Sequence, residues 1–170
     1  MRYLVTGGAG FIGSNFIRFL FNKYGDDAHV VNLDKLTYAG IRENLAEYEG
    51  KKNYRFVKGD IAKAKDVARA YKGVDGSGVD VVVNFAAETH VDRSLMEAHT
   101  FIETDVSGVL VLLEQARKTK LKRFVQISTD EVYGSVATGA SRETAELRRT
   151  ITTLRDKLQE VNEAFEKIRK

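Results

Sequence analysis

One short segment limits the folds open to this chain more than any other. Residues 6–13 read Thr6-Gly7-Gly8-Ala9-Gly10-Phe11-Ile12-Gly13. An apolar run, Arg2–Thr6, leads into it, and a helical stretch, Ile12–Tyr24, leads out. Gly7 permits the sharp turn, Gly10 lets another group approach the backbone, and Gly13 lets helix and strand pack closely. A strand that turns directly into a helix suits the first half of a crossover to a parallel neighbour. The segment therefore predicts an α/β chain.

The remaining pattern agrees. Strands are predicted at Arg2–Thr6, His29–Asp34, Tyr54–Val57, Asp80–Asn84 and Arg123–Ser128, nearly all continuously apolar, as in a sheet covered on both faces. Helices are predicted at Ile12–Tyr24, Lys63–Tyr71 and Ser94–Lys118, with a shorter one near Arg42–Glu49. In the long helix, Phe101, Ile102, Val106, Val109, Leu110 and Leu113 form a broad apolar face, which predicts deep packing. Alternating strands and helices give a three-layer, doubly wound parallel sheet of the Rossmann type, and 3-2-1-4-5 is the economical strand order for five strands.

The last part of the chain differs in kind. Residues 142–170 contain no glycine, and Leu147, Ile151, Leu154, Leu158, Val161, Phe165 and Ile168 recur at steps of four and three. This predicts a domain over residues 1–141 followed by one long amphipathic helix over 142–170. Thr150 and Ala164 widen its stripe on one flank, which favours packing on the sheet, while the seam itself also suits pairing with a second copy.

Composition narrows the function classes. The net charge of +3, from 27 basic and 24 acidic residues, is too small to point to nucleic acid. No apolar run is long enough to span a bilayer, and no charged-then-apolar leader opens the chain, so a cytoplasmic location is expected. The absence of cysteine excludes disulfides, thiol catalysis and Cys-ligated metal, and no metal site is expected. Proline and tryptophan are absent too, which reads as the mark of an edited chain.

The glycine turn suits a pyrophosphate, because the helix behind it offers unpaired N–H groups and the positive end of its dipole. Asp34 ends the second strand twenty-one residues beyond Gly13, where a carboxylate accepts both hydroxyls of an adenosine ribose and repels a 2′-phosphate. NAD is therefore expected over NADP, with Lys35 the one feature against it. Gly59-Asp60-Ile61 after the third strand could cap an adenine; a lesser reading makes Asp60 the N-cap of the helix Lys63–Tyr71, and the two are compatible. Phe85-Ala86-Ala87-Glu88-Thr89-His90 after the fourth leaves room for a nicotinamide ribose.

Five runs carry a resemblance: TGGAGFIGSNF, NLDKLTYAG, RFVKGDI, NFAAETHVDRS and RFVQISTDEVYGS. Over roughly residues 1–135 the chain resembles the nucleotide-sugar 4,6-dehydratases of the extended short-chain dehydrogenase/reductase family, dTDP-glucose 4,6-dehydratases above all. The resemblance implies that Gly7, Gly10, Phe11, Ile12 and Gly13 hold the pyrophosphate and Asp34 the ribose. It places Lys35, Leu36, Thr37, Ala39, Asp60 and Ile61 around the adenine half. Ala86, Ala87, Thr89 and Ser128 fall on the nicotinamide side, and Glu88, His90 and Arg93 on the substrate side. By the same resemblance Thr129 polarises the sugar 4-hydroxyl, Asp130 protonates the departing 6-hydroxyl and Glu131 takes the C5 proton. Without it, Asp130 and Glu131 read as solvated loop acids and His90 as a loop histidine.

The resemblance also implies something this chain lacks. Family hydride chemistry uses a Tyr-x-x-x-Lys pair after the fifth strand, but the last tyrosine here is Tyr133 and its i+4 residue is Ala137. Loss of such a base typically lowers rates by about a hundred to ten thousand-fold. The expectation is a cofactor-binding half without turnover, with a complementing fragment of an active dehydratase and a structural scaffold as alternatives. The expected partners are a dinucleotide, a nucleotide sugar if the site is complemented, and a second copy through helices 94–118 and 142–170. Neither nucleic acid nor membrane is expected.

Overall fold

The computed structural model describes residues 1–90 and 96–129, with Val132 and Gly139. Met1–Ile127 forms one compact unit; Ser128, Thr129, Val132 and Gly139 belong to a second. The predicted tail helix over 142–170 lies outside the described residues.

Five strands form one parallel sheet in the order β3-β2-β1-β4-β5, the predicted order. They are β1 (Arg2–Thr6), β2 (His29–Asp34), β3 (Tyr54–Lys58), β4 (Val81–Asn84) and β5 (Arg123–Gln126). β1 pairs with β2 from Arg2↔His29 to Thr6↔Leu33, and with β4 from Tyr3↔Val81 to Thr6↔Asn84. Alternation along β1 and β2 divides the core in two. Tyr3, Val5 and Val30 face helix α1 (Phe11–Tyr24) and meet Ile17, Leu20 and Phe21. Leu4, Val31 and Leu33 point the other way, toward Val67 and Ala70 of helix α2 (Ala64–Ala70) and toward Leu112. Because both faces of β1 and β2 are covered, these strands need apolar residues at successive positions, whereas β5 at the edge has no fully buried residue.

The long predicted helix requires correction. Residues 91–95 lie outside the description, and beyond them the span is not one regular helix. A short helix α3 (Ala98–Phe101) passes into a π-helical turn at Ile102–Gly108 and then into helix α4 (Val109–Thr119). A π-turn adds a residue to the ladder and rotates everything before it. The buried face is not the predicted one. Leu112 is fully buried, and its carbonyl accepts the Tyr71 hydroxyl at 2.9 Å. Gly108 packs so closely on Ile61 that a Cβ there would stand 2.7 Å from the Ile61 side chain. Ile102, Val106, Leu110 and Leu113, expected inside, are 45–62% exposed. The helix predicted near Arg42–Glu49 is a 3₁₀ segment, Arg42–Tyr48, kinked at Leu45.

At the amino ends of the strands, Asp80 ties three of them together. Its carboxylate accepts the Arg2 backbone N–H at 3.1 Å and both Nε (3.1 Å) and Nη2 (2.8 Å) of the Arg2 guanidinium. Lys122, just before β5, adds its ammonium at 3.0 Å. The Arg2 hydrogen bond, with help from Lys122, holds the Asp80 carboxyl well below the usual carboxylate range.

Candidate functional site

The opposite, carboxyl ends of β1 and β4 flank the point where strand order reverses, the place where open parallel sheets bind ligands. Gly7 occupies the left-handed region, with φ +65°, and donates its N–H to Leu33 at 2.9 Å. A Cβ on it would stand 2.7 Å from the Ala86 nitrogen, so the turn and the loop after β4 touch backbone to backbone. Gly13 is packed as tightly, since a Cβ there would lie 2.8 Å from the Gly8 Cα. Gly10 differs: its nearest neighbours would be Gly7 O at 3.3 Å and Ala39 O at 3.9 Å, which leaves an open side.

Gly10 is also the cap of α1, with no side-chain cap hydrogen bond and no acid in the first turn. The first N–H groups of a fourteen-residue helix thus carry partial positive charge without an internal acceptor. Phe11 and Ile12 beside them are 82% and 61% exposed. Small residues, free amides and an open flank make a donor set that fits a diphosphate.

Asp34 is buried at the end of β2. Its Oδ2 accepts the Ala9 N–H at 2.9 Å and its Oδ1 the Leu36 N–H at 2.8 Å. A carboxylate has about four acceptor positions, so capacity remains for two ribose hydroxyls. The chain then folds back over the glycine turn. The Ile41 N–H and the Asn44 amide both donate to Ala9 O at 3.0 Å, which brings Thr37 and Ala39, both exposed, beside the turn. Leu36 holds a left-handed conformation, φ 56°, to make this reversal.

Lys35, the residue at odds with NAD, is engaged elsewhere. Its ammonium lies 2.8 Å from Asp60 Oδ2. Asp60 is buried and also accepts the Ala62 N–H at 2.9 Å, a turn two residues long; the cap of α2 is Lys63, so the helix-cap reading of Asp60 does not hold. Burial works against the Asp60 carboxylate, but the Lys35 and Ala62 donors more than offset it and keep the group below its ordinary range. Ile61 is buried in the core.

On the other side of the switch point, Ala86 and Ala87 follow β4, with Ala87 and Thr89 exposed. The Glu88 N–H donates to Asp105 Oδ1 at 2.9 Å, which fastens this loop to the π-turn. Burial pushes the Asp105 carboxyl up, against the effect of that hydrogen bond. The His90 ring lies 5.1 Å from that of Tyr38, from the loop after β2, tilted at 41° to it. Among the catalytic and substrate-side candidates, Arg93, Asp130 and Glu131 lie outside the described residues. Ser128 and Thr129 are exposed members of the second unit.

Sequence reasoning missed a polar row beneath the site. The Thr6 hydroxyl donates to Asn84 Oδ1, and Asn84 Nδ2 donates to Gln126 Oε1 at 2.8 Å. Asn32, fully buried, donates to Tyr54 at 3.2 Å, and its Oδ1 faces Gly8 without a hydrogen-bond partner. The burial that surrounds Tyr54 raises its phenol to about 12. A lone asparagine inside an apolar strand run is the available signal.

Comparison with known proteins decides the family. The model of the GDP-mannose 4,6 dehydratase family matches residues 4–150. The chain belongs to that family. Within it, the low-salt glycan biosynthesis protein Agl12 of Haloferax volcanii is 52% identical over 139 residues, 82% of this chain and 43% of that protein. A dTDP-glucose 4,6-dehydratase of Streptomyces niveus is 50% identical over 82% of this chain and 41% of its own. Among solved structures, the dTDP-glucose 4,6-dehydratase DesIV of Streptomyces venezuelae, with NAD and TYD bound, superposes with a TM-score of 0.76 at 49% identity, covering 85% of this chain and 44% of that one. A UDP-glucose 4-epimerase of Thermus thermophilus in complex with NAD gives 0.72 at 34% identity, over 85% and 43%. The chain thus spans less than half the length of each of these proteins.

Proposed function

We propose that this chain is the NAD-binding half of a sugar-nucleotide 4,6-dehydratase of the dTDP-glucose type and does not turn over by itself. The observation that carries the reading is the joined geometry of the uncapped α1 amino end and Asp34, linked through Ala9. NAD bound there supplies a hydride acceptor. Gly7, Gly10 and Gly13 keep side chains away from its diphosphate, and the Phe11, Ile12 and Gly13 amides face that charge. Asp34 takes the ribose hydroxyls, while Lys35, Leu36, Thr37 and Ala39 border the adenine half with Asp60. Ala86, Ala87 and Thr89 border the nicotinamide half, with Ser128 joining them by resemblance. By the same resemblance Glu88, His90 and Arg93 serve the sugar nucleotide, with Thr129, Asp130 and Glu131 in the family roles given above. The missing Tyr-x-x-x-Lys pair supports binding without hydride transfer.

A second copy of the chain is part of this reading. Ile102, Val106, Leu110 and Leu113 leave one side of the π-turn and α4 apolar and exposed, and such a stripe favours association. The heptad spacing of apolar residues from Leu147 to Ile168 in the sequence supports the same reading.

Calorimetric titration of the chain with NAD tests the proposal. Saturable heat at one site per chain, with neither transient NADH nor 4-keto-6-deoxy sugar product on adding dTDP-glucose, is expected. No heat at millimolar NAD overturns cofactor binding, and appearance of the keto-sugar product overturns the lack of turnover.

A further inference from the structure

Lys35 follows the ribose acid directly, where a cation ordinarily invites a 2′-phosphate, so its engagement with Asp60 bears on which dinucleotide is selected. The backbone builds this pairing. Gly59 N–H donates to Asp34 O at 2.9 Å, which sets the residue after Gly59 beside the residue after Asp34. Asp60 and Lys35 therefore face each other across the ends of adjacent parallel strands, β2 and β3. Asp60 is itself fixed, with Oδ1 on the Ala62 N–H and its own N–H on Asp66 Oδ2 at 3.1 Å. The lysine is the longer and more exposed partner, so it comes to the aspartate.

We propose that Asp60 is a selectivity residue for the dinucleotide, because it holds the Lys35 ammonium on its own buried carboxylate and so keeps that cation from a 2′-phosphate. Discrimination against NADP then has two parts. Asp34 repels the phosphate, and Asp60 withholds the nearby charge that could compensate. With a lysine in this position, NADP is disfavoured fully only while that partner is present. The inference rests on dinucleotide binding at the glycine turn.

Asp60→Asn isolates the effect. The amide keeps an oxygen for the Ala62 N–H, but its NH₂ cannot accept from an ammonium, so Lys35 is released without loss of the turn. Titrations with NAD and NADP compare the parent chain with Asp60→Asn, Lys35→Ala and the double variant. The NADP-to-NAD affinity ratio is expected to rise about tenfold in Asp60→Asn, as a freed cation meets the phosphate. It returns to the parent value in the double variant and stays within about twofold of it in Lys35→Ala, where the lysine was never available. An unchanged ratio in Asp60→Asn, or a fall in NADP affinity in Lys35→Ala alone, overturns the proposal while NAD binding stands. The Lys35→Ala arm leaves the buried residue intact, so it decides the matter even if Asp60→Asn folds poorly. Absence of binding by the parent chain to either dinucleotide overturns this proposal together with the cofactor reading.

Discussion

Asp34 accepts the Ala9 backbone N–H at 2.9 Å, so the acid that ends β2 also clamps the turn that ends β1. Binding and local order therefore share one carboxylate. Asp34→Ala is expected to weaken NAD binding by about 1.5–3 kcal/mol, the range for hydrogen bonds to a charged group, and to lower the melting temperature as well. Asp34→Asn keeps one oxygen for a backbone N–H and should fall between the two in stability. Titration calorimetry with thermal melts checks both, and parent-like affinity in Asp34→Ala removes the ribose role.

The glycines separate fold from binding. Gly7→Ala meets the Ala86 backbone from a left-handed conformation, which costs on the order of 1–3 kcal/mol before any ligand is added. Gly10→Ala faces the open side of the turn, so its melting temperature should stay near that of the parent. Its methyl group stands before the helix amides, and NAD affinity is expected to fall about tenfold or more. Equal loss of stability in both variants would contradict this division.

Asp80 gives the chain an acid-sensitive anchor. Its folded-state carboxyl titrates below the unfolded one, so its contribution is complete above about pH 4 and declines as pH falls further. At pH 7, Asp80→Asn is expected to cost about 1–2 kcal/mol, the lower part of the range because Arg2 and Lys122 reach solvent. At pH 3 the gap should narrow. Denaturant melts at the two values give the test, and a gap that widens in acid refutes it.

Much of this architecture is legible in the amino-acid sequence. The strands and their order follow from apolar runs, turns and crossovers, which are properties of short windows. Asp34 is legible for the same reason, at a fixed distance from the glycine turn. The π-turn is not. Nothing in the run from Phe101 to Leu113 marks an added residue in the helix ladder, and the apolar residues there occupy more than one face, so periodicity alone does not say which face meets the core. The Lys35–Asp60 pair also escapes, because the two lie on different strands and meet only once Gly59 bonds to Asp34.

The exposed apolar stripe on one side of the π-turn and α4 makes its own prediction. Leu110→Glu places a charge among Ile102, Val106 and Leu113 and should leave the monomer folded. If copies associate there, sedimentation will show at least about a tenfold weaker dimer, as when a charge enters an apolar contact. Unaltered mass at matched concentrations rules the stripe out as the contact.

The ionic knot around Asp80 sits at the pole of the sheet remote from the glycine turn. Distant sites of this kind contribute nearly independently. The rim that meets a ligand can therefore drift or be rebuilt, residue by residue, while the far pole keeps the strands in register. Such a division of labour lets one scaffold be retuned from one nucleotide to another without first being made more robust.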